Sequence, residues 1–79
     1  MPHSDPAYEQ LGKVLFEARQ EAGFTLRELA ARLQWPHSVL GKIELAERHI
    51  NVIEFIELAR ALEIEPAKLL KRIVKATGL

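Results

Sequence analysis

The segment Pro36–Glu44, PHSVLGKIE, carries three residues suited to hydrogen-bond recognition, with a glycine among them. At about 100° per residue, His37, Ser38, Gly41 and Lys42 fall within an arc of roughly 140° of a helix. Leu40 and Ile43 lie opposite and anchor that helix to a core. Lysine donates to guanine O6 or N7, serine reaches base edges or a phosphate, and histidine donates or accepts. Gly41 costs about 1 kcal/mol of helix propensity against alanine. That cost is understandable if something approaches the face closely. A helix with such a face fits the major groove of duplex DNA, about 12 Å wide. A solvated helix face carrying a tolerated glycine would show the same four residues.

No other constellation supports chemistry. His3, His37 and His49 have no metal-ligand spacing with one another or with a carboxylate on a shared face. Glycine is too sparse for a phosphate loop, and Glu54 and Glu57 share a helix face as many solvated acid pairs do. The expectation is a non-enzyme without metal or cofactor.

The elements that position the segment all read as helices. Asp5 caps a first helix with Pro6 at its first position, where a missing N–H costs nothing. Tyr8, Leu11, Leu15, Ala18 and Ala22 then recur on one face, and Gly23 ends the helix. Thr25 with Glu28 forms a capping box for a second helix striped by Leu26, Leu29, Ala30 and Leu33. Only Gln34 and Trp35 separate it from a third helix, predicted from Pro36 to about Glu44. Trp35 is expected to plug that junction. Asn51 and Glu54 repeat the capping logic for a fourth helix over 52–62, and Pro66 opens a fifth ending near Gly78.

One domain spanning 1–79 is expected, with residues 1–5 flexible. The 79 residues are 48% hydrophobic and 28% charged, an ordinary globular composition, and contain no cysteine. No run approaches the roughly 18 apolar residues of a membrane span, and the start has no basic-then-apolar signal. A cytoplasmic protein is the default. Net charge is zero, whereas nucleic-acid binders are usually basic. Residues 66–79 hold Lys68, Lys71, Arg72 and Lys75 without an acid, so the preceding residues carry −4.

Leu11-Gly12, Arg19, Gly23, Thr25, Glu28-Leu29-Ala30, Leu33, Ile43-Glu44 and Leu58-Ala59-x-Ala61-Leu62 resemble, in order and spacing, the XRE family. These are the helix-turn-helix domains of phage repressors, Cro proteins and restriction–modification controller proteins. The resemblance covers roughly residues 11–70. It implies an all-α, compact five-helix bundle of the lambda-repressor-like type, whose third helix enters the major groove. It implies that His37, Ser38 and Lys42, with Gly41 on the same face, read bases. It also implies a partly buried structural ion pair between Arg19 and Glu44.

The sequence departs from the family at several points. Leu26 stands where the family favours a glutamine that holds a phosphate. Gln34 replaces the usual turn glycine, and a left-handed conformation there would cost about 1–2 kcal/mol. Leu45, Ala46 and Glu47 replace a polar residue, a glycine and a basic residue, which weakens sequence-independent attraction to DNA. Arg27, Arg48 and His49 remain as candidate backbone contacts.

In the fifth helix Leu69, Leu70, Ile73 and Val74 span a wide apolar arc opposite the four basic residues. Leu69 and Leu70 are expected to fill the core. The surplus edge of Leu70, Ile73 and Val74, with Ile53 off the stripe of the fourth helix, is expected to form a homodimer contact. The leading expectation is a dimeric, sequence-specific transcriptional regulator, a repressor, bound to a double-stranded DNA operator and not to a membrane. The rival is a protein-interaction module on the same fold, antitoxin-like or adaptor, whose partner is another protein. Neutral net charge, Leu45 and Glu47 favour that rival.

Overall fold

A computed structural model describes residues 5–79. His3 and residues 1–4 of the stretch expected to be flexible lie outside the described residues. Asp5 is the N-cap of the first helix, its side chain accepting from the Ala7 N–H at 2.9 Å. Among the described residues there are five α-helices and no strand: α1 Pro6–Glu21, α2 Leu26–Leu33, α3 His37–Glu44, α4 Val52–Ala61 and α5 Pro66–Thr77.

Local chemistry sets where these helices begin. Both capping boxes close. Thr25 Oγ1 accepts from the Glu28 N–H while Glu28 returns to the Thr25 N–H, and Asn51 and Glu54 do the same for α4. Proline opens α1 and α5 at a position where no N–H is needed. Pro36, expected inside α3, is instead its N-cap. Its ψ of 136° is extended, and the helix begins at His37.

The four turns between helices share one geometry. Each places a left-handed residue after the helix: Gly23, Gln34, Ala46 and Glu63, at φ 81°, 60°, 63° and 59°. Each also closes a paired set of backbone bonds. Phe24 N–H donates to Arg19 O and Gly23 N–H to Gln20 O; Trp35 to Ala30 and Gln34 to Ala31; Glu47 to Lys42 and Ala46 to Ile43; Ile64 to Ala59 and Glu63 to Arg60. This is the Schellman closure, which satisfies carbonyls left open at a helix end. Glycine takes the left-handed position only at the first turn, so the other three carry steric strain.

Leu15, Leu29, Leu40, Ile43, Leu58 and Leu69 are the largest fully buried side chains, supplied by all five helices. Burial of each is worth about 1.5–3 kcal/mol, so this small core rests on few residues. α1 packs on α3 and α5, α2 on α3 and α4, and α4 on α5. Trp35 is partly buried against the core at the turn between α2 and α3.

Two packing expectations are corrected. Leu70 does not fill the core: it is 51% exposed, while Leu69, 100° away around α5, is fully buried. Ala22 is exposed as the C-cap of α1 rather than part of its buried face, and Val14 occupies the core instead.

Candidate nucleic-acid interface

α3 is held by its inner side, which leaves its outer side free. Leu40 and Ile43 are buried, whereas His37, Ser38 and Lys42 are exposed. Pro36 makes no side-chain cap. Gly41 sits differently from the other three. It is half-buried, and a Cβ there would lie 3.3 Å from Leu26 Cδ2, so the close approach it permits is that of α2 within the domain. Leu26, in place of a polar residue, packs partly against the core.

The far end of α3 is fixed to α1 in two ways. Arg19 Nε donates to Glu44 Oε2 at 2.8 Å and Nη2 to Glu44 Oε1 at 3.0 Å. Its Nη1 donates to the Phe24 carbonyl at 3.0 Å, tying in the turn between α1 and α2. Both side chains are more than nine-tenths buried. The hydrogen bonds that Arg19 donates to Glu44 raise the guanidinium's pKa above its ordinary value, against the opposing effect of burial. Beside this pair, Gly12 lets the backbones meet. A Cβ there would overlap the Glu44 carbonyl oxygen and lie 3.1 Å from that of Ile43. Together the clamp and the glycine set the tilt of α3 against the rest of the domain.

The loop after α3 is pinned on both flanks. Arg48 Nη1 and Nη2 donate to Glu54 Oε1 and Oε2 at 3.1 and 3.0 Å, and Nη1 also reaches the His49 carbonyl at 3.1 Å. The Arg48 hydrogen bonds, followed by the one from the Asn51 backbone, hold the Glu54 carboxyl below its usual pKa. The His49 ring stacks on Tyr8, centroids 4.0 Å apart and planes 10° from parallel. Arg27 is exposed and makes no ion pair among the described residues. Glu47 and Leu45 are also exposed, the latter at 70%.

Tyr8, Leu11, Ile50, Leu70, Ile73 and Val74 line a shallow apolar cavity of about 330 Å³. A neighbouring depression brings Val52, 72% exposed, beside Leu70 and Ile73. Ile53 is exposed as well but lines neither depression. Val52 was missed in the sequence because it sits one residue from Ile53, and only the packed angle of α4 distinguishes them. Among the described residues no group of three His, Cys, Asp or Glu side chains can hold a metal ion, and no helix is long and apolar enough to cross a membrane.

The profile of a helix-turn-helix family, HTH_3, matches residues 15–69. No curated protein matches the chain. Among solved structures, it is similar to an XRE-family like protein from Pseudomonas syringae pv. tomato, with 44% identity and a TM-score of 0.79 over 90% of this chain and 87% of that one. It is also similar to the restriction-modification controller protein C.AhdI from Aeromonas hydrophila, at 31% identity and TM-score 0.74 over 78% and 94% of the two chains. The clp gene regulator ClgR from Corynebacterium glutamicum superposes with a TM-score of 0.84 at 25% identity, over 91% of this chain and 77% of that one.

Proposed function

The chain belongs to the XRE family of helix-turn-helix proteins, and we propose that it is a transcriptional regulator that binds double-stranded DNA sequence-specifically, acting as a repressor. The observation that carries this is the exposed, donor-bearing outer side of α3, with His37, Ser38 and Lys42 projecting from a helix whose opposite side is buried and whose end is clamped by Arg19. In this reading α3 lies in the major groove, those three side chains meet base edges, and Gly41 keeps α3 close against α2. Arg27, Arg48 and His49 contact the phosphate backbone, which fixes register without reading sequence.

The protein acts as a homodimer in this reading. Leu70 and Val74, 51% and 46% exposed, with Ile73 and the adjacent Val52, form an apolar edge on a domain of this size, and Ile53, exposed on the same helix as Val52, adds to the contact in this reading. Two-fold pairing through that edge would set the two α3 helices about 34–36 Å apart, one DNA turn. Sedimentation tests this part. A dimer that becomes monomeric, still folded, when Ile73 and Val74 are replaced by Asp supports it; a monomer at tens of micromolar without DNA overturns a stable dimer.

A second reading is favoured by one observation. Leu45, 70% exposed beside Glu47, presents an apolar and an acidic group where DNA would call for polar and basic ones. A protein partner, as for an antitoxin-like or adaptor module, fits that corner. Gel-shift titration with fragments around the gene's own promoter, at low and moderate salt, separates the two readings. A specific shift supports DNA, and no shift at low salt supports the protein partner.

A further inference from the structure

Arg48 has five N–H donors, and the structure uses them unevenly. Both Nη1 hydrogens are engaged, one by the His49 carbonyl and one by Glu54 Oε1, and Nη2 gives one to Glu54 Oε2. Among the described residues the Nε–H and the second Nη2 hydrogen have no acceptor, and these lie along the same edge of the planar group. They form a second fork, spaced for two oxygens of a phosphate. The Arg48 side chain is 39% exposed against 20% for Glu54, so the carboxylate is the inner partner.

Glu54 is itself tied down by hydrogen bonds. Its carboxylate accepts the Asn51 N–H at 3.1 Å, and its own N–H donates to Asn51 Oδ1 at 2.7 Å, fixing it to the first turn of α4. On the far side, the Tyr8–His49 stack holds the loop to α1. The guanidinium is thus braced by a carboxylate belonging to a helix start, in a loop that is also held to α1.

We propose that Glu54 is a positioning residue for a DNA-backbone contact by Arg48, holding the guanidinium so that its free Nε/Nη2 edge meets a phosphate. This rests on the DNA-binding reading above. Arginine carries large rotamer entropy, and a side chain ordered before binding loses less on forming the contact. The inference has an unusual sign. Simple electrostatics says that deleting a negative charge near DNA strengthens binding. Positioning says that deleting this one weakens it.

The test is fluorescence anisotropy on one operator-containing duplex, with circular dichroism melting to follow the fold. Glu54→Gln is expected to weaken binding about three- to tenfold, the gain from ordering one side chain in advance. In an Arg48→Ala background the same substitution should leave binding unchanged or tighter. Because Glu54 also serves the cap of α4, Arg48→Lys supplies a second route: it keeps the charge and leaves the cap intact but removes the fork, and a similar loss is expected. Glu54→Gln that binds equally or more tightly, an equal loss with and without Arg48, or Arg48→Lys that binds as well as the unmodified protein each overturns the proposal alone. An unmodified protein that binds no duplex overturns it together with the reading on which it rests.

Discussion

Arg19, in the last turn of α1, holds both carboxylate oxygens of Glu44, the last residue of α3, at 2.8 and 3.0 Å. The pair spans 25 residues of sequence and is nearly sealed from water. Removing one partner strands a buried charge. Arg19→Ala or Glu44→Ala should therefore cost about 3–5 kcal/mol, a large fraction of the stability of a small domain. Replacing both with apolar residues of similar volume, as in Arg19→Met with Glu44→Leu, should be less destabilising than either truncation. Denaturant titration of the three variants checks the order.

Gly12 tests the same junction from the backbone side. In most helices Gly→Ala stabilises by about 1 kcal/mol. Here the new methyl would collide with the Glu44 carbonyl, so α1 and α3 must separate. Gly12→Ala should instead destabilise by about 1–3 kcal/mol. A thermal melt that rises would show that the two backbones have room to part.

Ala46 predicts the opposite sign. Its φ of 63° closes the turn between α3 and α4 in a region that costs an L-residue about 1–2 kcal/mol. Ala46→Gly relieves this but gives the unfolded chain more freedom and removes one buried methyl. The expected net gain is about 0.5–1 kcal/mol, or roughly 2–8 °C in Tm for a domain of this size. Glu63→Gly is a poorer test, because it also removes the exposed pair with Arg32.

These contrasts show what the sequence can convey. The capping boxes at Thr25/Glu28 and Asn51/Glu54 were legible because the partners are three residues apart and the chemistry is local. The left-handed strain at Gln34 was legible only through the family resemblance, in which a glycine usually holds that turn position. The stack of His49 on Tyr8 was not, since 40 residues intervene and nothing local marks either ring as half of a pair. Arg48 read as a free cation because its partner lies across a loop, six residues on. Leu70 was misplaced for a geometric reason. Adjacent residues on α5 point 100° apart, and only packing against α1 decides which of Leu69 and Leu70 faces inward. The close approach suggested by Gly41 was inferred for an outside molecule, but its tight neighbour is Leu26.

Lys42, exposed on the outer side of α3, carries the most direct test of specific DNA recognition. Anisotropy titrations at fixed salt would compare the preferred duplex with a scrambled one, for the unmodified protein and for Lys42→Ala. The unmodified protein should prefer its site, and Lys42→Ala should lose about 1–3 kcal/mol there while losing much less on scrambled DNA, so that the ratio between the two duplexes contracts. An unmodified protein that binds every duplex equally, or none even at low salt, would contradict sequence-specific recognition by α3.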